Sequence, residues 1–368
     1  MPMNRFVFLF LLVASQLHGM TNEEYTDWWT NYRNTPQIPV ELKVMEDYFV
    51  YNGLLTYSSN FWNHYNKLNI EQITNYGYQN FKQTVNTNYF TWKVAIYHPY
   101  AINLKRMTPY LTVKFSQEEL HRQHLLFTPE QSYNYNTITM YFLNFMLNRG
   151  MGPYLEKLEE PIVGNPPFNL YNGRRVSQDI FNSLLEYMAV APRCLMDTIS
   201  TIIEVGAGSG RTAFCILSLH PDKKYVIVDF PPALYVSQTY LTDVFPDKKI
   251  FKFRPFGSFA EIADEYAEAN IVFLTPDQLS TLPDHSAELF LAIDCLHEMK
   301  ADRVAHYFNE AERLCTYFYY KCWQTTYVAP DNVHYSWNSY PVHSNWKVLM
   351  NEPCVVPSDF FHAMYQMH

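Results

Sequence analysis

Residues 197–229 read DTISTIIEVGAGSGRTAFCILSLHPDKKYVIVD, and the fold turns on this stretch. Ile202, Ile203 and Val205 form a short apolar run that passes through Gly206, Gly208 and Gly210 into residues 211–219, whose apolar side chains recur at helical spacing. A second β-rich run, 225–228, ends in Asp229. Strand, glycine turn, helix and strand in that order make one βαβ unit of a parallel sheet. A ligand lying across the carboxyl end of a strand needs glycines where side chains would collide with it, and N–H donors from the helix that follows. Asp229 comes nineteen residues after Gly210, which puts a carboxylate at the tip of the neighbouring strand, placed to accept both hydroxyls of a ribose. The spacing predicts a nucleoside ligand.

Dinucleotide sites carry G-x-G-x-x-G, and the third glycine of that pattern falls here on Arg211. The pattern present, Glu204-x-Gly206-x-Gly208-x-Gly210, resembles motif I of the class I S-adenosylmethionine-dependent methyltransferases. Their cofactor has no pyrophosphate, so the loop has only to make room for methionine and ribose. The resemblance implies S-adenosyl-L-methionine held by Glu204, Gly206, Gly208, Gly210 and Asp229, with Thr275 and Asp277 at the tip of the run 271–274 flanking the adenine. An ordinary tight βα turn is the plain alternative. An NAD-type oxidoreductase on the same fold is another, and Arg211 argues against it.

The rest of the chain sets bounds. Its 368 residues suffice for two domains, and 48% hydrophobic content is ample for a core. A net charge of −9 without a basic stripe makes nucleic acid an unsuitable partner. The six cysteines form no C-x-x-C pair and sit in apolar surroundings, as reduced core thiols do. At the start, Arg5 is followed by the apolar run 6–14 and then by small or polar residues, the layout of a secretory signal peptide over residues 1–19. That run is too short to span a bilayer, so no stable membrane span is expected. A cytosolic cofactor and the lack of any Asn-x-Ser/Thr sequon pull toward the cytoplasm, and localisation stays open between the two.

In order along the chain, residues 20–150 read as a helical N-terminal domain. Tyr25, Trp28, Trp29 and Tyr32 recur as on one helix face, and residues 59–69, 76–85 and 133–147 read the same way. Ser116 looks like the cap of a further helix. Residues 151–196 connect to the sheet through a helix capped by Ser177, with Gln178 and Asp179 expected near the glycine loop. Residues 197–368 read as the domain that the motif I resemblance implies to be the methyltransferase domain, with strands at 250–253, 271–274, 289–293 and 317–321 and helices at 233–245, 259–269 and 303–314. The aromatic tail, 335–368, is expected to fold back over the pocket. The fold class is α/β, a Rossmann-like, mostly parallel sheet with helices on both faces after a mostly helical N-terminal domain.

Four blocks sharpen the resemblance: RVSQDIFNS at 175–183, EVGAGSGRTA at 204–213, VIVDFPPALYVSQ at 226–238 and NYFTW at 88–92. Together they resemble the bacterial sugar O-methyltransferase family, specifically in the middle of the chain and loosely at both ends. The resemblance implies transfer of a methyl group to a hydroxyl of a sugar or glycoconjugate, a small-molecule or glycan acceptor. A sugar hydroxyl is a poor nucleophile, and a general base at a strand end speeds its reaction by roughly 10²–10⁴-fold. Asp294, His297 and Glu298 follow the strand 289–293. His297 is the first choice because its pKa lies near the working pH, and Glu298 the second. The family carries a Gln-Glu-Met-like triplet where this chain has His297-Glu298-Met299, a match that favours Glu298. Arg174 and Arg175 would suit an acidic sugar or simply be solvated, and His343 in the tail is a further candidate base. No compact metal-ligand motif is present. A rival reading is an exported methyltransferase-like binding protein without activity, and oligomeric state is not legible.

Overall fold

The computed structural model describes residues 19–85, 113–116 and 127–368. The signal-like start, the NYFTW block and the helix expected after Ser116 lie outside these residues.

The N-terminal part is helical, as its periodicity predicts. Helix α1 (Asn22–Tyr32) opens with a capping box, in which the Thr21 side chain accepts the Glu24 N–H and the Glu24 carboxylate accepts the Thr21 N–H. It buries Tyr25 and Trp29. Helices α2 (Val40–Tyr51), α3 (Asn60–Tyr76) and α4 (Pro129–Leu147) follow, the last starting at proline, whose fixed φ suits a first turn. A hairpin of β1 (Asn169–Tyr171) and β2 (Arg174–Val176) leads to α5 (Gln178–Val190), where Ser177 accepts the Ile180 N–H as its cap.

Strands and helices then alternate: β3 (Thr201–Val205), α6 (Arg211–Leu219), β4 (Lys224–Val228), α7 (Pro231–Val244), β5 (Ile250–Phe251), α8 (Ala263–Glu268), β6 (Ile271–Leu274), β7 (Leu289–Ile293), α9 (Ala301–Leu314) and β8 (Tyr317–Trp323). The ribbon β9 (Thr325–Val328) and β10 (Val333–Ser336) precedes β11 (Lys347–Pro353) and β12 (Phe360–Gln366). Eight strands make one sheet in the order β11-β12-β8-β7-β3-β4-β6-β5. Strands β3 to β8 pair in parallel, whereas β12 is antiparallel to both β8 and β11. With β4 on one side of β3 and β7 on the other, the winding reverses at β3, where a crevice opens beyond the strand ends. This is the Rossmann-like class I architecture expected from the sequence.

Both faces of the sheet are buried, which is why its strands read as continuous apolar runs. Ile202, Ile227 and Leu291 point into one core with Leu42, Phe142, Ile180 and Phe214, so the N-terminal helices are built onto that face. Ile203, Val226 and Phe290 point into the other with Phe308, Tyr340 and Trp346. Trp346 stacks on Phe308 of α9, ring centroids 5.8 Å apart at 6°. The aromatic tail therefore does not fold over the pocket: its first part covers α9 and β8, and β12 is inserted between β8 and β11 with Phe360, Phe361, Ala363 and Met364 buried.

An ion cluster fastens the N-terminal part to α5 and the segment before it. Lys82 Nζ lies 2.7 Å from Glu160 and 3.0 Å from Asp179, every side chain at most 3% exposed. Asp179 faces this junction rather than the glycine loop, and Gln178 is buried beside Tyr135. All six cysteines are buried and unpaired. Among the described residues no helix is long and apolar enough to cross a membrane.

Candidate active site

Beyond β3 the chain turns through Gly206, Gly208 and Gly210 at φ of +70°, +59° and +82°, left-handed backbone that glycine adopts without strain. At Gly206 a Cβ would stand 2.6 Å from the Cys295 Cβ, so the turn also needs glycine for contact with the tip of β7. Gly210 caps α6 and packs against Leu241 of α7.

The neighbouring tip holds Asp229. Its Oδ2 accepts the Gly208 N–H at 2.8 Å and its Oδ1 the Phe230 N–H at 2.7 Å. The carboxylate thereby bridges the glycine turn of β3 to the tip of β4. Burial pushes its pKa up to about 7 against those two hydrogen bonds. Glu204, at the end of β3, accepts the Tyr225 hydroxyl at 2.8 Å, and burial pushes it up to about 7 as well.

A cavity of about 910 Å³, its mouth included, opens at these strand ends. Glu204, Gly206, Gly208 and Asp229 line it together, joined by Arg211, Pro276, Asp294, Cys295 and Met299. Trp62 from α3, Phe230 and Tyr307 give it aromatic walls. Of the other expected site residues, Gly210, Thr275, Asp277, His297 and Glu298 stand outside the lining. Thr275 is fully buried, its N–H donating to the Gln278 side chain, and Asp277 accepts the Tyr48 hydroxyl at 2.7 Å. Pro276 between them is the residue that reaches the wall. Arg175 pairs with Glu159 at 2.8 Å, and His343 pairs with Glu312 at 2.8 Å; neither reaches the cavity.

After β7 the chain makes one tight turn, Leu296–Glu298, that buries His297 to 1% exposure. Burial pushes the imidazole down to about 3, leaving it neutral. Its Nε2 lies 3.6 Å from both Asp294 Oδ1 and Glu298 Oε1, beyond hydrogen-bond length. Asp294 is the carboxylate of this segment that faces the cavity. Its backbone is left-handed at φ +59°, and burial pushes its pKa up to about 6, with Lys321 and Arg211 holding it back.

In the sequence Arg211 reads only as a missing glycine. In the structure its guanidinium grips Glu186 of α5 through two hydrogen bonds of 2.6 and 3.0 Å, and Lys321 of β8 reaches the same carboxylate at 2.9 Å. The signal available was an arginine opening an otherwise apolar helix, which calls for a buried acid. Glu186, charged within the apolar run of α5, is that acid. Among the described residues, no three His, Cys, Asp or Glu side chains gather closely enough to hold a metal ion.

No family model matches the chain, and no curated protein does. Solved structures are similar to it. A SAM-dependent methyltransferase from Aquifex aeolicus aligns at TM-score 0.33 and 14% identity, over 46% of this chain and 82% of its own. Mitomycin 7-O-methyltransferase MmcR aligns at 0.37 and 14%, over 74% and 71%. Magnesium protoporphyrin IX methyltransferase from Synechocystis PCC 6803 with bound SAH aligns at 0.36 and 10%, over 61% and 97%. At such scores the fold rests on the strand order and the glycine turn.

Proposed function

We propose that the protein binds S-adenosyl-L-methionine and transfers its methyl group to a hydroxyl of a small-molecule acceptor, a sugar or glycoconjugate. The observation that carries the reading is the Asp229 carboxylate, held by the Gly208 and Phe230 N–H groups at the cavity floor. Each oxygen accepts one backbone N–H and retains a lone pair for a ribose hydroxyl. The sugar reading is supported by the sequence blocks quoted above and by Trp62 and Tyr307 in the wall, aromatic residues of the kind that pack against a sugar ring.

When bound, the donor supplies an electrophilic methyl on a sulfonium. The chain contributes alignment and exclusion of water: glycines 206 and 208 admit the ligand against the backbone, and the aromatic walls dry the space around it. Of the segment from Asp294 to Glu298, Asp294 is the carboxylate that reaches the cavity, and His297 lies behind it.

Titration calorimetry with S-adenosyl-L-methionine tests the reading. The wild-type protein is expected to bind, and Asp229→Ala to weaken binding by on the order of 2–4 kcal/mol, through lost ribose contacts and a loosened glycine turn. Equal affinity in the two proteins would sink the assignment.

A further inference from the structure

Three carboxylates line the cavity, and they are not equivalent. Glu204 is engaged by the Tyr225 hydroxyl and Asp229 by two backbone N–H groups. Asp294 has neither kind of donor: its Oδ1 is buried with no hydrogen-bond partner among the described residues, while its side chain keeps 23% of its surface. A carboxylate left unsatisfied in a water-poor wall is unfavourable unless something positive arrives to meet it. The backbone adds to the oddity. Asp294 holds a left-handed conformation, uncommon for a residue other than glycine, at the rim of a cavity.

The chemistry of the candidate ligand supplies the positive group. Asp229 stands at the tip of β4 and Asp294 at the tip of β7, with β3 and its glycine turn between them. Two strand spacings separate those tips, about 10 Å. A donor whose ribose rests on Asp229 and which lies across the glycine turn carries its sulfonium, one methylene from the ribose ring, toward Asp294. Lys321 of β8 and Arg211 of α6 share Glu186 of α5, two cations on one acid, and their net positive charge holds the Asp294 pKa back without giving its Oδ1 a hydrogen bond; His297 on the following turn is neutral.

We infer that Asp294 reads the charge of the methyl donor, so that the cavity holds the cationic sulfonium in preference to the neutral thioether left after transfer. The inference rests on the proposed function and extends it to a specificity residue. Loss of the methyl group removes the charge that Asp294 faces, and the spent product leaves more readily than the donor.

The test compares S-adenosyl-L-methionine and S-adenosyl-L-homocysteine by titration calorimetry at about pH 8, where a carboxyl of this kind is ionised. Wild type is expected to favour the methionine compound, and Asp294→Asn to lose that preference, with about tenfold weaker binding of the cationic ligand and little change for the neutral one. Asparagine tolerates the left-handed backbone, so this variant keeps the turn. Asp294→Gly removes the carboxylate and any strain together, and loses the preference likewise. A preference unaltered in both variants overturns the inference alone. Equal weakening of both ligands also overturns it, because Asp294 then holds the ammonium group they share. A wild-type protein that binds neither ligand overturns the proposed function and this inference together.

Discussion

The two strand tips that flank the cavity are built on different principles. At β3 and β4 the backbone does the work: glycines 206 and 208 clear the space, and the Gly208 and Phe230 N–H groups fix Asp229. At β7 side chains decide. Asp294 faces inward, His297 is buried behind it, and their separation of 3.6 Å falls outside hydrogen-bond length. A backbone cradle leaves a spacing in the sequence that can be recognised, because only glycine serves. A side-chain arrangement leaves a set of neighbouring polar residues whose directions depend on a single turn.

The largest perturbation removes the part common to both tips. Glu186 anchors Arg211 beside the glycine turn and Lys321 beside Asp294, whose backbone N–H donates to the Lys321 carbonyl at 2.7 Å. Glu186→Ala leaves the buried Lys321 and the part-buried Arg211 without their shared acid and is expected to cost about 3 kcal/mol. Urea denaturation measures it, and a loss under about 1 kcal/mol would mean that the cluster relaxes into solvent. Next is Gly206→Ala. It combines an unfavourable left-handed backbone with a collision against Cys295, and should cost about 2–4 kcal/mol while abolishing donor binding. The Gly206→Ala, Cys295→Gly double variant should recover the steric part and leave the backbone part.

The smallest effect separates the tips by pH. Burial raises Glu204 and Asp229 to about 7 and Asp294 to about 6, so the folded protein binds their protons more tightly than the unfolded chain does. Their contribution to stability is full below the ordinary carboxyl range and is lost as pH rises through 6 and 7. Without ligand, the protein should be less stable near pH 8 than near pH 5 by on the order of 1–2 kcal/mol, after discount for partial exposure to the cavity. Glu204→Gln should remove part of the upper phase and Asp294→Asn the lower, read from urea midpoints across pH. A profile that is flat in wild type would refute the desolvation of these groups.

Much of the fold was legible because burial on both faces of a parallel sheet writes itself as short apolar runs. The strands at 271–274 and 289–293 have the expected bounds, and the helix expected at 303–314 begins two residues earlier. The tail was not legible. In β12, residues 360, 361, 363 and 364 are all buried, so no alternation marks a strand, and its aromatic content suggested a lid. At the site, the glycine turn and Asp229 were legible from spacing. The inward turn of Asp294 was not, since it follows from the φ of one residue and from the Lys321 carbonyl across the strand pair.

The buried ion cluster at Lys82 bears on how this chain can be inherited or cut. A sheet domain excised after residue 150 would retain Glu160 and Asp179 and lose Lys82, which pairs with both. It would also lose Trp62 from the cavity wall. The same cut would bare the sheet face that Leu42 and Phe142 cover. The Rossmann-like portion is therefore not a portable module: shuffling or trimming that parts it from the N-terminal helices takes away one side of its core, a wall of its cavity and the partner of Glu160 and Asp179.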